Sequence, residues 1–90
     1  MLIALIARDK PGHLQTRVDN RAAHLAYIEE TGVVAQAGPL LDQNGEMAGS
    51  LVILEVEDMA AGEAWAAGDP YNKANLFESV ELITWKKVIG

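Results

Sequence analysis

Residues 49–57 read Gly-Ser-Leu-Val-Ile-Leu-Glu-Val-Glu, and this stretch decides the fold class. The β-branched Val52, Ile53 and Val56 alternate with leucine and glutamate, and no proline intervenes, which is strand chemistry. Successive side chains of a strand point to opposite faces. Leu51 and Ile53 therefore share one face, and Val52, Leu54 and Val56 share the other. The start of the chain repeats the pattern, with Leu2, Ala4 and Ile6 opposed to Ile3, Leu5 and Ala7. Near the end, Val80 and Leu82 oppose Phe77, Ile83 and Trp85. A sheet with one wet face alternates apolar and polar residues. These strands mostly do not, so the sheet needs cover on both faces.

Working outward, Lys10-Pro11-Gly12 ends the first strand. A helix follows from His13 to Glu30, in which Leu14, Val18, Arg21, Leu25 and Ile28 share one face at about 100° per residue. Gly32 is placed to cap it in the left-handed conformation. Val33 to Leu41 is a second strand, and its Gly38-Pro39 marks an edge or a strand end. Asn44-Gly45 is a hairpin signal inside a loop from Asp42 to Ala48. The third strand spans Gly49 to Glu57. Asp58 caps a second helix from Met59 to Ala67, which Gly68 closes, and Asp69-Pro70 reads as a further N-cap with proline at the first helical position. A last strand covers about Leu76 to Val88.

This order, βαββαβ over residues 1–90, predicts one ferredoxin-like α+β domain: a four-stranded antiparallel sheet with two helices on one face. Two helices cover only one side. The apolar open side predicts a homodimer or higher homo-oligomer packed through that face.

Composition narrows the function classes. Half of the 90 residues are hydrophobic, there is no cysteine, and the formal net charge is −6. Thiolate zinc sites and disulfides are excluded, and a cytoplasmic location is expected. The opening MLIALIARDK lacks a basic n-region and a cleavage site, so it reads as a buried strand and not as a signal peptide. No run is long enough for a membrane span. Between Ala22 and Asn72 there are nine acids and no lysine or arginine. Nucleic-acid binders carry a basic footprint, so neither nucleic acid nor membrane is expected as a partner.

His24 lies about 90° from the centre of the helix's apolar stripe, at the boundary of the expected buried face. Arg17, Arg21 and His24 are spaced i, i+4, i+7 and line one edge. That edge reads either as a solvated basic margin with a carbonyl-satisfied histidine, or as a general acid/base beside an anion-binding edge. Histidine suits the second reading because its ordinary pKa is about 6.5. Asp69 reads either as an N-cap or as a carboxylate that orients a histidine and fixes its tautomer. His13 and His24 have no metal-ligand spacing, Ser50 has no nucleophile-elbow context, and no phosphate-loop, zinc or EF-hand pattern occurs.

Four motifs occur in order: Arg21-Ala-Ala-His24-Leu25, Ala37-Gly38-Pro39, Gly49-Ser50, and Trp65-Ala-Ala-Gly-Asp69-Pro70-Tyr71. Together they resemble the YciI-like family of small bacterial proteins across essentially the whole chain. The resemblance implies a ferredoxin-like fold assembled as a dimeric α+β barrel, and a site centred on a histidine–aspartate pair matching His24 and Asp69. Arg21, Gly38, Pro39, Ser50 and Tyr71 match positions that would surround that pair and bind substrate. It further implies cofactor-independent proton transfer on a small anionic or enolic compound. One branch of the family dehydrochlorinates chlorinated aromatic breakdown products, and muconolactone isomerases share the wider fold. A non-catalytic small-metabolite-binding or regulatory module, and a structural partner of another enzyme, are the competing readings. The chain departs from the family pattern at Ala74-Asn75, where Ala-Gly is common, and at Thr84-Trp85, where proline often precedes the aromatic residue. Both departures are expected beside the cleft, where they bear on substrate identity.

Overall fold

The computed structural model describes all residues from Met1 to Gly90. Its elements are β1 (Leu2–Asp9), α1 (Leu14–Thr31), β2 (Val34–Leu41), β3 (Met47–Glu55), α2 (Met59–Gly68), the short α3 (Pro70–Lys73) and β4 (Phe77–Trp85). The strands form one antiparallel sheet in the order β2-β3-β1-β4. This is the ferredoxin-like arrangement. β2 is an edge strand, which is where Pro39 costs no ladder hydrogen bond on its outer side.

Local chemistry places the boundaries. Gly32 caps α1 at φ 65°, with its N–H bonded to the Ile28 carbonyl. The Asp58 carboxylate accepts from Ala61 N at 2.8 Å and starts α2. In the β2–β3 turn, Asp42 Oδ1 accepts from the backbone N–H groups of Asn44 and Glu46. The hairpin is tighter than the sequence suggests, and β3 begins at Met47.

The core lies between sheet and helices. Ile3, Leu5 and Ala7 of β1, Val52 and Leu54 of β3, and Trp65 of α2 are buried together. β1 and β3 pair Ile3 with Leu54 and Leu5 with Val52, so these residues form one apolar face. Trp65 Nε1 donates to Thr31 Oγ1 at 2.9 Å, and Tyr27 Oη donates to the Trp65 carbonyl at 2.8 Å. Both polar tips are thereby satisfied as α2 packs on α1.

Three expectations need correction. Phe77 does not share a face with Ile83 and Trp85. The β1–β4 register shifts between Arg8 and Asp9, so Asp9 faces Phe77 while Arg8 faces Ser79, and Glu78 is the extra residue. A bulge of this kind reverses the alternation beyond it, and Phe77 turns to the helix side. The second correction concerns α1. Its expected apolar stripe is only in part its buried face: Ile28 packs against the core, but Leu14, Val18 and Leu25 are 39%, 50% and 50% exposed, while Arg17 and His24 are buried. His24 thus sits within the buried face and not at its margin. The polar partners that draw these two residues inward lie far off in sequence. The third concerns the family departures. Asn75 and Thr84 lie outside the cleft described below. Asn75 has φ 60°, so it occupies the left-handed conformation that suits a glycine and that asparagine tolerates better than most residues. Thr84 pairs with Ile3 and Trp85 with Leu2 at the far end of the sheet.

The open sheet face carries Ala4, Ile6, Leu51, Ile53, Ile83 and Trp85, of which Ile83 and Trp85 are 51% and 40% exposed. Glu55 and Glu81 interrupt it, through their pairing with Leu2 and Ile6. No helix is long and apolar enough to cross a membrane.

Candidate active site

The candidate site forms where α1 crosses β3 and where α3 begins. α1 supplies Arg17, Arg21 and His24, which all reach one cleft of about 150 Å³. The opposite wall is Ala37, Gly38 and Pro39 of the edge strand with Ser50 and Val52 of β3. Tyr71 closes the inner end, and Leu25 and Met47 complete the lining.

Asp69 occupies the junction between α2 and α3. Its Oδ1 accepts from Tyr71 N at 3.0 Å, the N-cap bond expected before Pro70. The same oxygen lies 2.8 Å from His24 Nδ1. One oxygen thus makes both the N-cap bond and the contact with His24. An ionised carboxylate only accepts hydrogen bonds, so the proton of that contact belongs to Nδ1. Nε2 then carries the lone pair. It has no hydrogen-bond partner in the protein and is not enclosed, and His24 lines the cleft. Asp69 Oδ2 is enclosed and has no partner, so His24 is the only side chain bonded to this buried carboxylate.

Tyr71 is placed by the first turn of α3. Its ring stacks on His24 with centroids 3.9 Å apart and planes 15° from parallel. Phe77 meets its edge at 6.1 Å and 82°, a contact that the β4 bulge makes possible. The guanidinium carbon of Arg17 lies 4.6 Å from the same ring. Burial pushes the Tyr71 phenol above its ordinary pKa of 10.0, although the positive charge of Arg17 opposes the rise.

Arg17 is 2% exposed and forked onto Asp9, with Nε and Nη2 at 2.7 and 2.8 Å from the two carboxylate oxygens. Burial works against its charge, but the hydrogen bonds and charge of Asp9 outweigh that and raise its pKa. Nη2 also donates to Ser50 Oγ at 2.9 Å. Ser50 is held close by Gly49, where a Cβ would collide with the Ala7 carbonyl oxygen. Only glycine lets β1 and β3 approach this nearly. Arg21, by contrast, is exposed at the cleft and has no carboxylate within ion-pair distance.

All seven residues singled out in the sequence gather here: six line the cleft, and Asp69 stands behind His24. Sequence reasoning missed the clamp of Arg17 by Asp9 and Ser50, the Phe77 support and the lining by Met47. The i, i+7 spacing of Arg17 and His24 carried part of the signal, since it puts both on one helix face. His13 lies elsewhere, with Nδ1 against the Pro11 carbonyl at 2.9 Å. No three His, Cys, Asp or Glu side chains converge as a metal site.

Residues 1–86 match the YCII-related domain. The chain belongs to that family. It is 39% identical to the YciI protein of Escherichia coli, over 98% of this chain and 99% of that one, and 34% identical over the same shares to an uncharacterised protein of Haemophilus influenzae. Among solved structures, it is similar to the 5-chloro-2-hydroxyhydroquinone dehydrochlorinase of Burkholderia phenoliruptrix in complex with 2,5-dihydroxybenzoquinone. That likeness has a TM-score of 0.86, 37% identity, and coverage of 96% of this chain and 94% of the other. An antibiotic biosynthesis monooxygenase aligns with a TM-score of 0.62 at 14% identity over 99% of this chain and 100% of that one, which shows a shared fold. The His24–Asp69 contact described above belongs to this YCII-related chain's own geometry.

Proposed function

We propose that this YCII-related protein is a cofactor-independent enzyme that moves a proton on a small anionic or enolic ring compound, with His24 as general base and acid and Asp69 as its orienting partner. The observation that carries the reading is the split of the imidazole: Nδ1 is held by a buried carboxylate, while Nε2 has no partner in the protein on a residue that lines the cleft. A fixed tautomer with its lone pair directed at the ligand is what general base catalysis needs. Proton uptake at Nε2 forms an imidazolium lying against the Asp69 carboxylate.

Size and charge support the same class. A cavity of about 150 Å³ matches one that admits benzene, so a single six-membered ring fits. Arg21 offers the cleft an unpaired positive charge for an oxyanion, while the charge of Arg17 is already balanced by Asp9. Ser50 and Tyr71 add hydroxyl groups. An elimination of HCl of the kind named for the Burkholderia relative suits this set. Proton transfer from a ring hydroxyl to the chlorine-bearing carbon first gives the keto tautomer; the base then removes a second hydroxyl proton, the electrons form the quinone, and chloride leaves with the C–Cl pair. Isomerisation by proton removal and return uses the same groups.

The reading includes a homodimer formed through the open sheet face, whose exposed Ile83 and Trp85 gain from cover. The cleft lies on the helix side, so a partner there reaches it only through β2. Ala37, Gly38 and Pro39 line the cleft on one side and a groove of about 250 Å³ on the other.

The test is chloride release from 5-chloro-2-hydroxyhydroquinone, followed beside binding of 2,5-dihydroxybenzoquinone. Turnover by the wild type is expected, with a loss of about 100- to 10,000-fold in His24→Ala and retained binding of the quinone. Binding without turnover in the wild type, for this compound and for related enols, would instead assign a metabolite-binding module.

A further inference from the structure

We infer that Arg17 is a positioning residue of the cleft. Pinned by Asp9, it fixes Ser50 as a hydrogen-bond donor to the ligand and, through the Tyr71 ring, holds the plane of the His24 imidazole. The inference deepens the enzymatic reading and rests on it for its catalytic part only.

Arg17 and His24 are seven residues apart on α1, about 10.5 Å along the helix axis. The Tyr71 ring fills the space between them, 4.6 Å from the guanidinium carbon and 3.9 Å from the imidazole centroid. The imidazole thus has two constraints. Asp69 fixes one ring atom, and Tyr71 fixes the ring plane. The phenol is in turn held between the guanidinium and the edge contact of Phe77.

Stability does not account for the arginine. A buried ion pair is often matched or bettered by apolar residues of similar volume, because desolvation offsets its attraction. An apolar side chain could fill the position against Tyr71, but it could not direct Ser50. Ser50 Oγ accepts from Arg17 Nη2. A hydroxyl that accepts on one side keeps its own proton free, and Ser50 lines the cleft. Arg17 therefore makes Ser50 a donor toward the ligand. The two arginines divide the work: Arg21 meets ligand charge, and Arg17, neutralised, sets geometry. The matching ligand places an acceptor oxygen at Ser50 and a removable proton at His24 Nε2.

The test compares Arg17→Met and Arg17→Lys with the wild type by two readouts. The first is the imidazole Nδ1–H resonance of His24, observed without any ligand. The second is the separation of kcat from KM for 5-chloro-2-hydroxyhydroquinone. Arg17→Met leaves the Asp9 carboxylate unpaired and is expected to lower stability; in the folded protein it is expected to broaden or lose the His24 resonance and to lower kcat about 10- to 100-fold, with a change in KM of about threefold or less. Arg17→Lys keeps the charge beside Asp9 but not the fork that also reaches Ser50, so it is expected to fall between the two. If Arg17→Met does not fold, Arg17→Lys carries the test alone. A His24 resonance identical to wild type in the folded variants would overturn the inference. So would an unchanged kcat where the wild type turns over. If the wild type shows no turnover, the enzymatic reading fails, while the resonance still decides whether Arg17 positions His24.

Discussion

The two long helices bury opposite kinds of side chain. α2 turns Gly62 and Trp65 inward against the apolar sheet, as hydropathy alone would arrange it. α1 buries Arg17 and His24 and leaves Leu14, Val18 and Leu25 half exposed. The difference teaches that near a polar cleft the choice of helix face follows the available partners. Asp9, Ser50 and Asp69 stand on the sheet and at the start of α3, and each satisfies a group that would be costly to bury alone. Around α2 the side-chain partners, Thr31 and Tyr27, satisfy only the polar groups of Trp65, and burial of apolar area decides.

The largest effect expected from this contrast is on stability. Trp65→Ala should cost about 3–5 kcal/mol, whereas Val18→Ala should change stability by about 0.5 kcal/mol or less. Chemical denaturation of both variants checks this. A cost at Val18 comparable to that at Trp65 would mean that the α1 stripe is covered in solution, and the contrast between the helices would fall.

A smaller effect sharpens the description of the α1 side through pH. Burial raises the phenols of Tyr27 and Tyr71 above 10.0. Between that value and the folded-state pKa, the unfolded chain releases these protons and the folded chain keeps them. Stability is therefore unaffected by these groups below about pH 10 and falls as pH rises beyond it. Tyr71→Phe should flatten part of that decline, measured as the change in Tm from pH 9 to about pH 11. A decline as steep as in the wild type would show that Tyr71 is freely solvated.

The smallest effect lies just after α3. Asn75→Gly should raise stability by up to about 1 kcal/mol, and Asn75→Ala should lower it by about 1 kcal/mol. Neither is expected to alter the cleft, because Asn75 does not line it. A change in ligand binding in Asn75→Gly would contradict that placement.

Most of the fold was legible because it rests on local signals: two-faced apolar strands, the Asp58 and Asp69 caps, Gly32, and the edge-strand proline. What was not legible depended on register. The extra residue at Glu78 turns Phe77 toward Tyr71, and nothing in the alternation of Phe77 to Trp85 announces it. The rotation of α1 was hidden for a related reason, since Asp9 and Ser50 are 8 and 33 residues from Arg17 in sequence. The site was legible as a set of residues through the ordered motifs, but not as geometry. The N-cap role and the histidine partnership of Asp69 looked like alternatives in sequence, yet one oxygen serves both.

The central claim is that His24 presents Nε2 to a small ring ligand while Asp69 holds Nδ1. The most direct measurement is a 15N spectrum of the two histidine rings as 2,5-dihydroxybenzoquinone is added, with His13 as the internal control. The account expects His24 protonated at Nδ1 in the free neutral ring, with its Nε2 resonance moving as ligand binds and His13 unchanged. A His24 ring protonated at Nε2, or one unmoved by a ligand that binds, would contradict it.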